Sequence, residues 1–313
     1  MMLKNKKPLV VCLMGPTASG KTDLAIKLVQ AFPFEIISVD SAMVYRGLDI
    51  GAAKPTTEEL ALAPHHLIDI RDPLEPYSAA DFRKDALKLI DDILSRGKMP
   101  LFVGGTMLYF RALQEGLSEL PEANEKIRNE ILQQAEKEGW EKLHEALKKV
   151  DPKSAIRIHP NDPQRLQRAL EVYYLTGKPM SGFFENQNKS DFNFLNIGLI
   201  PEDRKWLHAR IEKRFHMMLE QGFLEEAKAL FNRGDLHEDL PAIRAVGYRQ
   251  AWSYLKGEMS KETFIEKGIV ATRQLAKRQL TWLRSWKDLH SFSSENAEEV
   301  YNKIVCLLKV KAL

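Results

Sequence analysis

The sequence predicts an α/β chain with a largely parallel sheet, and three observations carry that prediction. Leu9 to Met14 is a continuous apolar run, the pattern of a central strand buried on both faces. It leads directly into Gly15-Pro16-Thr17-Ala18-Ser19-Gly20-Lys21-Thr22, which fits G-x-x-x-x-G-K-[ST] at every fixed position. Apolar residues at helical spacing follow (Leu24, Ala25, Leu28, Val29, Phe32), and then a second short strand pattern from Glu35 to Val39. Strand, loop, helix and strand in that order make a βαβ unit with a phosphate-binding loop, so the core is P-loop NTPase-like.

The remaining elements follow in order. Pro33 ends the first helix. Residues 42–77 are rich in Gly and Pro and read as irregular with short helices, and His65-His66 within them lacks a metal-site spacing and reads as structural. Ser78 is the expected N-cap of a helix that buries Phe82, Leu87, Ile90, Ile93 and Leu94 and stops at Gly97. Pro100 to Val103 is a third strand, ending in Gly104-Gly105-Thr106. Residues 117–193 are charged and mostly helical, with breaks at Val150-Asp151-Pro152 and His159-Pro160-Asn161-Asp162-Pro163 and a flexible return over 182–193. They predict an inserted all-helical subdomain. Residues 1–116 and 194–313 then form the α/β core, with Phe194 to Ile200 returning to the sheet and a helical C-terminal region to about Trp286.

Composition narrows the class. With 313 residues, 44% hydrophobic and 28% charged, the chain has ample apolar residue for a core. No apolar run reaches the roughly 18 residues that span a bilayer. The basic start through Lys7 resembles a signal peptide, but the apolar run after it is short and enters the phosphate loop, so it is the first strand. The two cysteines, Cys12 and Cys306, read as buried thiols of a reducing, cytoplasmic protein and leave no structural zinc set. No heptad seam points beyond a monomer. The net charge is only +3, but Pro241 to Lys287 holds ten Lys/Arg against three acidic residues, which points to a polyanion partner.

The phosphate loop has a direct physical basis. Its glycines let successive N–H groups converge on phosphate oxygens, the helix N-terminus adds positive potential, Lys21 adds charge and the Thr22 hydroxyl can ligate Mg²⁺. Asp40, ending the second strand, falls on the same sheet edge, where it is either a general base, a metal aid or an N-cap for the residues after it. Thr106, ending the third strand, is either a hydrogen-bond partner for a ligand or an N-cap. No aspartate ends that strand, as an ATPase would often require.

Three clusters combine bases with Gln, Tyr or Trp: Gln164-Arg165-Leu166-Gln167-Arg168, Arg244-Ala245-Val246-Gly247-Tyr248-Arg249, and Lys277-Arg278-Gln279-Leu280-Thr281-Trp282-Leu283-Arg284. Arg273, Lys277 and Arg284 share one helix face. Such clusters suit RNA, which needs cations for phosphates and flat partners for unstacked bases. Taken singly, each cluster reads first as a solvated surface helix, and exposed charge is the default for Arg214 as well; the three together point to RNA.

Taken together, the motifs resemble the bacterial tRNA dimethylallyltransferase (tRNA isopentenyltransferase) family over almost the whole chain. The resemblance is carried by residues 15–22, by Ile-Ser-Val-Asp-Ser-Ala at 37–42, by Asp-Ile-Gly-Ala-Ala-Lys-Pro at 49–55 and by Val-Gly-Gly-Thr-Met-Leu-Tyr at 103–109. It continues in His-Pro-Asn-Asp-Pro-Gln-Arg at 159–165, Val-Gly-Tyr-Arg at 246–249 and Thr-Arg-Gln-Leu-Ala-Lys-Arg-Gln at 272–279. The family's reaction moves a dimethylallyl group from dimethylallyl diphosphate to N6 of the adenosine 3′ of a tRNA anticodon, with Mg²⁺ as cofactor.

By that resemblance, Gly15 to Thr22 and Arg214 hold the diphosphate, Thr22 ligates the metal, Asp40 accepts the amine proton and Thr106 lies near the amine. Asp40, Ser41, Ala42 and Met43, together with Thr106 and the three basic clusters, match segments that contact tRNA, and the inserted subdomain would grip the anticodon stem. Two rivals predict different chemistry: a P-loop kinase would turn over ATP without tRNA, and a nucleotide-switched RNA-binding protein would bind without a covalent product.

Overall fold

The computed structural model describes residues 7–118, 120–184 and 190–312, which divide into two compact units, one of residues 1–114 and 190–313 and the other of 115–189. The first is an α/β layered unit. Strand β1 (Leu9–Met14) is followed by helix α1 (Lys21–Ala31), strand β2 (Phe34–Val39), the short helix α2 (Thr57–Leu62) and the two-residue strand β3 (His65–His66). Helix α3 (Ala79–Ser95), strand β4 (Met99–Gly104) and helix α4 (Met107–Glu115) complete its first half.

The second unit is all helical: α5 (Glu125–Glu138), α6 (Trp140–Val150), α7 (Pro152–Arg157) and α8 (Pro163–Thr176), ending in a 3₁₀ turn at Met180–Phe184. The chain returns in β5 (Asn193–Leu199). It continues through α9 (Arg204–Glu220), α10 (Phe223–Phe231), α11 (Tyr248–Leu255) and α12 (Lys261–Arg284), then β6 (Leu289–Phe292) and α13 (Ala297–Ala312).

All six strands are parallel, in the order β3-β2-β4-β1-β5-β6. The near-complete burial of β1, β2 and β4 is what continuous apolar strands require when helices cover both faces. One apolar cluster contains Met14, Val39, Phe82, Phe102, Phe215, Phe223 and Tyr248, and a second contains Leu13, Leu28, Ile36, Ile197 and Ile304. The helical unit has its own core of Ile131, Leu143, Leu147, Leu166 and Leu170.

Register positions the site. Met14 pairs with Gly104, and Gly104 with Val39, so the last residues of three adjacent strands stand side by side. A side chain on Gly104 would collide with the Val39 carbonyl, so only glycine permits this approach. Gly15, Asp40 and Gly105 therefore begin three loops at one edge.

Helix starts follow their caps. Ser78 forms the expected capping box with Asp81, and Thr56 forms another with Glu59. The predicted breaks at 150–152 and 159–163 are N-cap-plus-proline starts: Asp151 caps α7 before Pro152, and Asp162 caps α8 before Pro163.

Several expectations change. Strands β3 and β6 extend the sheet on both edges, and α13 follows the helical region expected to end near Trp286. Residues 232–247 break that region with turns between α10 and α11. Cys12 is buried, but Cys306 is exposed, because α13 turns Val300, Ile304 and Leu308 inward instead. The return expected over 182–193 falls partly on residues 185–189, outside the described residues. Among the described residues, no helix is long and apolar enough to cross a membrane.

Candidate active site

The three loops open onto a cleft of about 1320 Å³ in the α/β unit. It is lined from one side by Thr17 to Thr22, from the strand ends by Asp40 to Met43 and Gly104 to Thr106, and from the helices by Arg210, Arg214, Arg278 and Trp282. A smaller pocket of about 570 Å³ lies among the starts of β1, β5 and β6, the opposite edge of the sheet from the phosphate loop. Ligands of open α/β sheets bind outside the carboxyl ends, so the larger cleft is the candidate site.

The phosphate loop is shaped by its backbone. Gly20 takes a left-handed conformation (φ 87°) as the N-cap of α1, with no side chain capping the helix. The first N–H groups of α1 are thus left for an anion. Ala18 is also left-handed (φ 63°), an uncommon state for a residue with a Cβ, and its carbonyl accepts a hydrogen bond from Arg210 Nε at 2.8 Å.

Lys21 Nζ donates to the Pro16 carbonyl at 2.6 Å and to Ser19 Oγ at 3.4 Å. Burial, then the Arg214 charge, push its pKa down to about 7, and only Asp40 opposes them. Arg214 is shifted downward for the same reason, burial first, with Asp40 as the leading counterweight. Among the described residues neither Lys21 nor Arg214 forms an ion pair. Cations that line one cleft without an ion pair are costly to bury and become favourable when a polyanion joins them.

Across the cleft, Asp40 Oδ1 accepts the backbone N–H groups of Ala42 (2.8 Å) and Met43 (3.3 Å). That is an Asx turn: the carboxylate caps a turn and not a helix, since residues 41–43 are non-helical. Oδ2 has no hydrogen bond among the described residues. Thr106 Oγ1 accepts the Ser41 N–H at 3.1 Å, so its oxygen serves the Asp40 loop and does not cap α4, while its proton is left to donate. The carboxylate and the hydroxyl are thereby fixed as a pair on the ends of β2 and β4.

Comparison with known proteins shows the family. The IPP transferase family model matches residues 43–286. The chain belongs to the IPP transferase family. A tRNA dimethylallyltransferase of Coxiella burnetii is 59% identical over 307 residues, covering 97% of this chain and 98% of the relative. A tRNA isopentenylpyrophosphate transferase of Bacillus halodurans superposes with a TM-score of 0.71 at 39% identity, covering 98% of both chains. A eukaryotic dimethylallyltransferase solved acting on tRNA gives a TM-score of 0.79 at 30% identity, covering 93% of this chain and 75% of that one.

Not every residue singled out in the sequence stands at this cleft of the IPP transferase chain. Gly20, Lys21, Thr22, Asp40 to Met43, Thr106, Arg214, Arg244 to Gly247, Arg278, Gln279 and Trp282 line it together. Gln164 to Arg168 belong to the helical unit, where Gln164 and Arg165 are exposed at the start of α8 but Leu166 is core. Arg168 donates to Glu171 Oε2 (2.7 Å) and to the Pro121 carbonyl (2.6 Å), and Gln167 donates to the Arg128 carbonyl.

Tyr248 is not an exposed stacking platform. It is buried against Phe223, and its hydroxyl donates to Glu226 Oε1 at 2.5 Å, so burial first and Glu226 second raise its pKa. Leu280 and Leu283 face the core and Gln279 faces the phosphate loop, leaving Lys277, Arg278, Thr281 and Arg284 as the exposed face of α12. Arg273, expected on that face, pairs with Glu212 at 2.7 Å.

Two residues escaped sequence reasoning. Arg210 stands one helical turn before Arg214, a spacing that was visible. Glu226 accepts the N–H groups of Asp49 (2.9 Å), Ile50 (2.7 Å) and Gly51 (3.0 Å), holding a loop that lines the cleft from 177 residues away in sequence, where no local pattern announces it.

Proposed function

We propose that this cleft transfers the dimethylallyl group of dimethylallyl diphosphate to N6 of the tRNA adenosine 3′ of the anticodon, releasing diphosphate. The observation that carries the proposal is the pairing of two half-sites on one sheet edge. One is a phosphate loop with Lys21 and Arg214, neither in an ion pair among the described residues. The other is a carboxylate and a hydroxyl, Asp40 and Thr106, on the neighbouring strand ends.

An adenine amine is a weak nucleophile because its lone pair is delocalised into the ring. As N6 bonds to C1 of the dimethylallyl group, the C1–oxygen bond breaks and the diphosphate takes the electron pair. Asp40 accepts the proton that N6 sheds, and the Thr106 hydroxyl orients the amine. The loop amides, Lys21 and Arg214 stabilise the charge on the departing diphosphate. The base must leave its stack to reach Asp40, and the exposed basic face of α12 and the residues at the start of α8 supply phosphate contacts for that RNA.

Magnesium fits the donors. Mg²⁺ is commonly bound through few protein groups together with substrate phosphates, and the Thr22 hydroxyl, at the start of α1 in the cleft lining, would hold it here. When bound, it would neutralise the diphosphate as charge develops there.

The test is incubation with unmodified tRNA, Mg²⁺ and dimethylallyl diphosphate, followed by digestion and mass spectrometry of the nucleosides. The expected product is an adenosine heavier by one dimethylallyl group; unchanged adenosine from folded protein sinks the proposal. Asp40→Ala is expected to abolish transfer while leaving tRNA binding intact. Near-normal turnover in that variant removes Asp40 as the base.

A further inference from the structure

Gln279 lies in a segment matched to tRNA contact, yet its side chain is buried, with 9% exposure. Its Oε1 accepts the Thr17 backbone N–H at 2.9 Å, and its Nε2 donates to the Gly105 carbonyl at 3.0 Å. Thr17 is a phosphate-loop residue, and Gly105 immediately precedes Thr106. One amide therefore ties the loop after β1 to the loop after β4. The ladder between those strands ends at the Met14–Gly104 pair, so beyond it side chains must hold the loops in register.

The partners determine how the amide points. The Thr17 N–H only donates and the Gly105 carbonyl only accepts, so an amide satisfies both in a single orientation. Glutamate cannot donate to the carbonyl, asparagine is one methylene short, and methionine leaves both backbone groups without their partner. Gly105 is fitted to the contact as well: a Cβ there would collide with Gln279 Nε2 and stand 3.2 Å from the Gly15 carbonyl.

We propose that Gln279 is a positioning residue that sets the separation between the phosphate loop and the acceptor pair Asp40 and Thr106, and that it does not contact RNA. The proposal rests on the transferase reading above. Displacement at C1 needs the amine, the carbon and the leaving oxygen on one line, with the amine held from the ends of β2 and β4 and the diphosphate from the end of β1. A displacement of about 1 Å between the two halves lowers the rate about 100-fold, while each half still binds its own ligand.

Gln279→Met, which keeps the chain length, and Gln279→Glu are compared with the parent in four measurements: inorganic pyrophosphate affinity, tRNA affinity, single-turnover transfer, and deuterium exchange at the Thr17 amide. The expected result is transfer slowed about 100-fold, with both affinities near the parental values and faster Thr17 exchange. Weaker tRNA binding with parental transfer at saturating tRNA makes Gln279 an RNA contact and overturns the proposal. A pyrophosphate affinity that falls by the same factor as the rate reduces it to a support of the phosphate loop alone and overturns it too.

If the parent itself forms no prenylated tRNA, the transferase reading fails, and Thr17 exchange decides the tie between the loops: faster exchange in the variant upholds it, unchanged exchange refutes it. Should Gln279→Met not fold, Gly105→Ala displaces the amide by a methyl group and is expected to give the same split, with unchanged transfer as the refuting result.

Discussion

Arg168 and Arg214 look alike in the sequence, each a cation on a helix beside apolar residues, and the two units use them in opposite ways. In the helical unit, Arg168 and Arg128 both bond Glu171, whose side chain is fully buried and also accepts the Asn124 N–H at 2.7 Å. Those arginines are bound to the protein's own carboxylate. In the α/β unit, Arg214 and Lys21 line the same cleft, and among the described residues neither forms an ion pair. A paired arginine contributes to its fold. One left unpaired and partly buried opposes folding, and it is understandable only if an anion completes the pairing during function.

The largest expected effect comes from breaking the unpaired side. Arg214→Met is expected to lower kcat/KM for dimethylallyl diphosphate by a factor of about 100 to 1000, the range for losing one charge-stabilising donor. The same substitution is expected to leave the melting temperature unchanged or raised, because it removes an unpaired cation. A marked drop in melting temperature with intact catalysis would show that Arg214 is a structural residue, and the contrast between the units would collapse.

This contrast also marks how far the sequence could be read. Strands β1, β2 and β4 were legible because burial on both faces writes a continuous apolar run, and Ser78 was legible because a cap is a local contact. Strand β3 was not, since His65-His66 is too short to show a period, nor was β6, whose middle residues are exposed at the sheet edge. The pairing of Arg168 could have been read, because Glu171 lies three residues on, the spacing of a helix neighbour. The burial of Tyr248 and the bonds of Gln279 could not. Their partners, Glu226 and the Thr17 and Gly105 backbone, come together only through the fold.

The second effect tests the paired side. Glu171→Gln is expected to destabilise the helical unit by about 2–4 kcal/mol, because two arginines lose their carboxylate and a buried acceptor is removed. Acid should reveal the same group. Burial pushes the Glu171 carboxyl up, but bonds from Arg168, the Asn124 backbone and Arg128 outweigh it, and the net shift is downward. A carboxyl with a depressed folded pKa stabilises above its unfolded value of about 4.3 and loses that contribution as pH falls toward the folded value. Thermal melts from pH 7 to pH 3 should therefore show an acid-sensitive component in the parent that Glu171→Gln lacks. Identical pH profiles for both proteins would mean that Glu171 does not hold this core.

The smallest effect concerns Lys21, whose pKa of about 7 is set by burial and then by Arg214. A bound diphosphate places negative charge beside the ammonium and raises that pKa, so binding above pH 7 takes up a proton. Affinity for diphosphate should be flat below pH 7 and should weaken above it, by up to tenfold per pH unit, about 1.4 kcal/mol. The ligand's own ionisation runs the other way, since a more highly charged diphosphate binds cations better. Lys21→Arg separates the two, because guanidinium stays charged throughout this range and retains only the ligand's contribution. Calorimetry of pyrophosphate binding in two buffers of different ionisation enthalpy would count the proton directly. Proton uptake at pH 8 in the parent and none in Lys21→Arg is the expected pair of results. Equal uptake in both would place the titrating group elsewhere and leave the lowered pKa of Lys21 without a role in binding.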